Sequence, residues 1–137
     1  MSTILTPILA MIIWTLVMWF WMYATRIPAM QKAGIDATKM KSKSEMDVLP
    51  PEVSRIADNY NHLHEQPTIF FALAFYLHLA DAVDPIALGL AWAYVILRIV
   101  HSLIQSTWNF IPARFGVFAL SSLSLVGMAV CGALTLI

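Results

Sequence analysis

Two runs of side chains carry groups that could do chemistry. The first lies between Arg55 and Pro67 and holds Asp58, Asn59, Asn61, His62, His64, Glu65 and Gln66, before the chain turns apolar at Ile69-Phe70-Phe71. The second holds Tyr94, Arg98, His101 and Gln105, spaced 4, 3 and 4 residues apart, with Ser102 beside them. At 100° per residue, Arg55, Asp58, His62, Glu65 and Ile69 fall within about 80° on one continuous helix. Each run therefore predicts one polar stripe on one helix. Counted together, Arg26, Arg55, Asn61, Glu65, Arg98, His101, Gln105 and Arg114 gather toward one end of the chain's helices, and four of these eight are arginines. Arginine clamps a carboxylate in a two-pronged fork, and glutamate takes an ammonium. The set suits a small, multiply charged, peptide-like ligand that carries an amine.

Plainer readings stand beside this one. Glu65 and Arg98 are the most deeply placed charges on their helices, and a direct pair between them could simply fix helix register. His62, His64 and His101 could be hydrogen-bonded packing residues. No metal site is expected. His62 and His64, two apart, point to different helix faces, and the single pair His62/Glu65 is not the repeated set that carboxylate-bridged bundles use. The one cysteine, Cys131, allows no intrachain disulfide and reads as a small buried hydrophobe.

The elements that must position these groups are membrane helices. Of 137 residues, 60% are hydrophobic and only 12% charged, against about 25% charged in soluble domains. The mean hydropathy is +0.75. Net charge is zero, so nothing attracts nucleic acid. Met1 to Thr25 holds no charged side chain and no small-residue cleavage pattern, so it reads as a retained span rather than a signal peptide. Four spans are expected: Ile4–Ala24, ended by Arg26 and Pro28; a second running to Ala80; Ile86–Gln105; and Phe115–Ile137. The uncharged part of the second, Gln66–Ala80, is too short to cross about 30 Å of hydrocarbon alone. Ile27–Ser54 is the one hydrophilic loop, and Pro51-Glu52 suits a helix start. Turns are expected at Asp81–Pro85 and Thr107–Ala113. Glycines and serines in the last span would let helices approach closely. The fold class is thus all-α, an up-down four-helix bundle in the membrane, one domain over residues 1–137. The first loop with Arg26 and Arg55 carries six basic residues and the third connection carries Arg114, which places both in the cytoplasm and both termini outside.

These motifs resemble the membrane-associated proteins in eicosanoid and glutathione metabolism, the MAPEG family. The resemblance rests on Arg55…Asn61-His-Leu-His-Glu65-Gln-Pro67-Thr-Ile-Phe70, on Arg98-Ile-Val-His101, and on Arg114, sixteen residues after Arg98. It is nearest to a bacterial branch of that family. It implies a homotrimer in the bacterial inner membrane, with periplasmic termini and glutathione bound between subunits on the cytoplasmic side. It implies that Arg26, Asn61, Glu65, Arg98 and His101 hold the cosubstrate, with Gln105 where some members have a tyrosine. It implies that Arg114 activates the thiol, and that the partner substrate is a lipophilic electrophile, lipid or hydroperoxide. The chain departs from the pattern at Asp58 or Asn61, where an arginine is common, and at Phe115, where one type has serine. The activity this implies is a thiol transferase or peroxidase. The alternatives are a non-catalytic lipid-binding or regulatory protein of the same fold, and an ion path, which the apolar last span disfavours.

Overall fold

The computed structural model describes residues 3–34 and 49–135. Within them the chain forms five α-helices and one π-helical turn: α1 (Leu5–Ala33), α2 (Pro51–His62), α3 (Gln66–Leu79), α4 (Pro85–Leu103), the π turn (Ile104–Trp108) and α5 (Ile111–Leu134). Most of the predicted first loop, including Lys39, Lys41, Lys43, Glu45 and Asp47, lies outside the described residues.

The predicted end of the first span is corrected. Helix α1 runs 29 residues, through Arg26 and Pro28, and stops only at Gly34, whose φ of 73° is the left-handed cap that ends helices. A proline inside a helix removes one N–H and costs about 3 kcal/mol. Packing offsets this cost. Pro28, Ala29 and Lys32 face Pro50 and Val53 across a shared groove, and Met22 of α1 joins Ile56 and Ala57 of α2 in the core. One turn earlier the Thr25 hydroxyl donates to the carbonyls of Trp21 and Met22, both at 3.1 Å.

Helix α2 starts as the sequence predicts, with Pro51 at its first position and Glu52 in its first turn. It does not continue into the apolar run. It ends at His62, and the chain turns through Leu63–Glu65, where Glu65 has φ −97° and ψ −88°. Pro67 has no N–H to give Leu63, so an unbroken ladder is impossible there. The N–H groups of His64, Glu65 and Thr68 bond three residues back instead, to Asn61, His62 and Glu65. The single stripe expected from Arg55 to Ile69 therefore ends at His62. Helix α3 has 14 residues, about 21 Å at 1.5 Å per residue, shorter than the hydrocarbon core. Among the described residues, three stretches are long and apolar enough to cross alone: Leu5–Ala33, Pro85–Trp108 and Ile111–Leu134.

The turn between α3 and α4 follows its sequence. Asp81 takes the left-handed conformation (φ 54°) while Ala82 N–H bonds Leu77 O and Asp81 N–H bonds His78 O, which closes α3. Asp84 caps α4, its Oδ1 accepting from Ala87 N at 2.7 Å. Asp84→Ala should lower unfolding stability by about 1 kcal/mol, read as a drop in the melting temperature of detergent-purified protein. The turn expected at Thr107–Ala113 is shorter than predicted. The π turn takes Thr107 and Trp108, and α5 begins at Ile111 with Pro112 in its first turn. Arg114 is therefore a residue of α5, not of a connection.

Among the described elements, α4 packs most extensively on α5, and α3 packs on α5 and α1. Close approach uses glycine, as expected. A Cβ at Gly127 would sit 2.9 Å from Leu90 Cδ1, and one at Gly132 would sit 3.2 Å from the Tyr76 ring. The core is apolar and aromatic, with Phe70 stacked on Tyr94 (centroids 4.7 Å apart) among Met11, Met18, Ala91 and Met128.

Candidate functional site

The break after α2, the second half of α4 and the start of α5 enclose a cavity of about 290 Å³. His62, Glu65 and Gln66 line it from the break; Arg98, His101 and Gln105 from α4 and the π turn; Ile111, Arg114, Phe115 and Phe118 from α5. Five residues picked out from the sequence thus converge: Glu65, Arg98, His101, Gln105 and Arg114. Arg26 and Asn61 do not line it. Arg26 sits half-buried on α1, and Asn61 is exposed on the last turn of α2.

The helix break creates the seat of Arg98. Ending α2 at His62 leaves carbonyls at the negative end of its dipole, and such ends favour a cation. Arg98 Nη2 donates to His62 O at 3.5 Å. Its guanidinium also lies 5.9 Å from the Phe118 ring centroid, within cation–π range. The residue is 1% exposed and its Nε has no hydrogen-bond partner. The direct pair expected between Glu65 and Arg98 is absent. Glu65 turns to His62, Oε2 to Nδ1 at 3.8 Å, and its side chain is 70% exposed. The break leaves Glu65 at the exposed rim beside His62 and not against Arg98. Among the described residues no carboxylate lies within 4.0 Å of Arg98 or Arg114.

Gln66 ties three helices together. Its Nε2 donates to Ser122 Oγ at 2.8 Å, and its Oε1 accepts from Tyr94 Oη at 3.4 Å. Arg114 Nη1 donates to Asn109 Oδ1 at 2.9 Å. His101 Nδ1 and Gln105 Oε1 are buried without partners. His64, by contrast, is held outside the cavity, with its Nδ1 3.0 Å from Tyr60 O and its ring edge-on to Tyr60. The site therefore presents two guanidiniums, one carboxylate already engaged, two amides and two imidazoles, beside an aromatic and aliphatic wall. That arrangement has the charge and shape to accept a small anion with a polar body and an apolar neighbour.

Residues 4–134 match one protein-family model, that of the MAPEG family. The chain belongs to the MAPEG family. Proteins of this family are in general glutathione-related transferases and peroxidases or proteins of lipid metabolism. A search of curated proteins and of solved structures gives no match. Membership and the three apolar helices make this chain an integral membrane protein.

The sequence of this MAPEG chain gives no signal for Phe118, and it places Gln66 and Asn59 in the polar run without singling them out. Phe118 stands four residues after Arg114 and four before Ser122, so one face of α5 carries all three; in so apolar a span that spacing does not stand out. Asn59, not Asn61, is the fully buried asparagine of α2, and neither end of its amide has a partner. An unpartnered buried amide costs about 1–3 kcal/mol. Asn59→Leu should therefore raise the melting temperature in detergent, and a fall would mean that the amide contributes to stability.

Proposed function

We propose that the protein is a membrane-embedded transferase or peroxidase that binds glutathione or a related thiol in this cavity and directs it at a lipophilic electrophile. The observation that carries the reading is the uncompensated positive charge. Two arginines face the cavity, one of them 1% exposed, and among the described residues no carboxylate lies within 4.0 Å of either. A buried, unpaired guanidinium is costly, and a carboxylate and thiolate from a ligand would relieve it. Glu65, 70% exposed at the rim and 3.8 Å from His62 Nδ1, would exchange that contact for the ligand's ammonium.

The chemistry follows from the two walls. A thiol of pKa about 8.5 is mostly protonated at neutral pH, and a neighbouring guanidinium favours the thiolate. Arg114 would hold that thiolate, and Arg98, His101 and Gln105 the peptide body. Ile111 and Phe115, 63% and 68% exposed, lead from the cavity toward the lipid side, a route for an apolar substrate. In conjugation the sulfur–carbon bond forms as the electrophile's leaving group departs with its electron pair. In the peroxidase form the thiolate attacks the peroxide, an S–O bond forms as the O–O bond breaks, the released alkoxide takes a proton, and a second thiol converts the sulfenic acid to a disulfide and water.

One chain's cavity stands at the lower end of ligand pockets, roughly 300–1,000 Å³. The proposed assembly is a homotrimer in which a neighbouring subunit completes the site; there Arg26 and Asn61 would add their groups. The proposed orientation puts the site at the cytoplasmic side of a bacterial inner membrane, with both termini periplasmic. The test is calorimetry of the detergent-purified protein with glutathione, then a conjugation assay with a chlorodinitrobenzene-type electrophile. Binding and turnover are expected. Binding of an anionic lipid, with none of millimolar glutathione, would replace this reading with a non-catalytic lipid-binding one, which the apolar α5 wall favours.

A further inference from the structure

We propose that Asn109 is a positioning residue that holds the Arg114 guanidinium at the cavity without neutralising it; its functional half rests on the thiol-binding reading above. The π turn ends on Asn109, whose φ of 53° and ψ of 37° are left-handed. Its N–H closes the turn onto Ile104 O. This conformation redirects the chain into α5, and it brings the Asn109 side chain back over the first turn of that helix. There Oδ1 accepts from Arg114 Nη1 at 2.9 Å. Among the described residues this is the only hydrogen bond that the Arg114 side chain makes within the protein.

The backbone alone does not demand an amide at this point. Among the described residues three positions have positive φ, and they are filled by Gly34, Asp81 and Asn109. Glycine takes this conformation at no steric cost, and aspartate and asparagine tolerate it. The three differ in what they would do to Arg114. Glycine would let the guanidinium swing. Aspartate would pin it but cancel its charge. Only the neutral amide both fixes the donor fork and leaves a full positive charge facing the thiol. The other charged or titratable groups around the cavity are His62 and Glu65 at the break and Arg98 and His101 on α4. None of them bonds Arg114.

Three proteins test this: wild type, Asn109→Gly and Asn109→Asp. The first readout is the pKa of bound glutathione, followed by the ultraviolet absorbance of its thiolate across pH. Both variants should raise that pKa by about one unit or more, a tenfold loss of thiolate below it, while glutathione affinity measured below the bound thiol's pKa, where the thiol is protonated, changes less than about threefold, within 0.7 kcal/mol. A merely structural role would not move the thiol pKa at constant affinity. If either variant keeps the wild-type thiol pKa, the inference is overturned. The second readout needs no ligand. Nitrogen NMR of the Arg114 guanidinium, assigned by its loss in Arg114→Lys, should show restrained Nη groups in wild type and Asn109→Asp, and free rotation in Asn109→Gly. If wild type binds no thiol, the proposed function fails, and this spectrum alone decides the positioning. Restraint lost only in Asn109→Gly would uphold it; equal spectra in all three would overturn it.

Discussion

Arg98→Met should abolish tight ligand binding while leaving the protein at least as stable as before. Arg98 is the largest fully buried side chain of the molecule's described part, and its one protein hydrogen bond is a long one, 3.5 Å to His62 O. Charges buried in this way cost more than their neighbours return, and replacement by an apolar residue of similar length commonly stabilises by about 1–4 kcal/mol. Methionine is flexible enough to fill the space. The ligand's carboxylate, however, would lose a desolvated partner. That loss is worth about 2–5 kcal/mol, at least a 30-fold fall in affinity. Calorimetry with glutathione and a thermal melt, both in the same detergent, read the two effects separately. A variant that binds normally, or one that unfolds several degrees lower, would show that Arg98 serves to cap α2 rather than to hold a ligand.

Arg114→Ala should act on turnover more than on affinity. Its guanidinium stands at the mouth of α5 beside Phe115 and Phe118, where the sulfur of a bound thiol would meet an apolar substrate. Removing a positive charge beside a thiolate destabilises the charged form and raises the thiol pKa. The reaction rate at neutral pH should then fall tenfold or more, since each pKa unit is a factor of ten in the thiolate fraction. The sign gives a second handle. As pH rises, the free thiol ionises unaided, so the variant's rate should recover toward that of wild type. Arg114→Lys should restore only part of the rate, because an ammonium keeps the charge but not the fork that reaches Asn109 and the thiolate together. Initial rates across pH, with the kcat and KM effects separated, check this. Equal losses in kcat and affinity, with no alkaline recovery, would assign Arg114 to binding instead.

Two prolines within helical patterns show what kind of information a sequence holds. Pro28 and Pro67 give the same local signal, a missing N–H within a helical pattern. At Pro28 the helix runs on, because its last turns pack beside the start of α2. At Pro67 it breaks, and the break sets the site: it releases His62 O for Arg98 and turns Glu65 outward. Asn59 and Asn61 make the same point. Both lie in the polar run, and only the packing of α2 decides which one is buried.

By itself the sequence determined the membrane class, the polar face of α4, the helix start at Pro51-Glu52, the turn at Asp81–Pro85, and the family to which the chain belongs. All of these depend on hydropathy, on capping chemistry within a turn, or on motif order, which are local properties of the chain. The tertiary structure alone decided that α2 and α3 are separate, that Arg98 meets a carbonyl instead of Glu65, that Phe118 and Gln66 belong to the site, and that Asn109 grips Arg114. Those depend on the direction in which each helix leaves its turn and the neighbour it meets, and no spacing within one helix encodes the position of another.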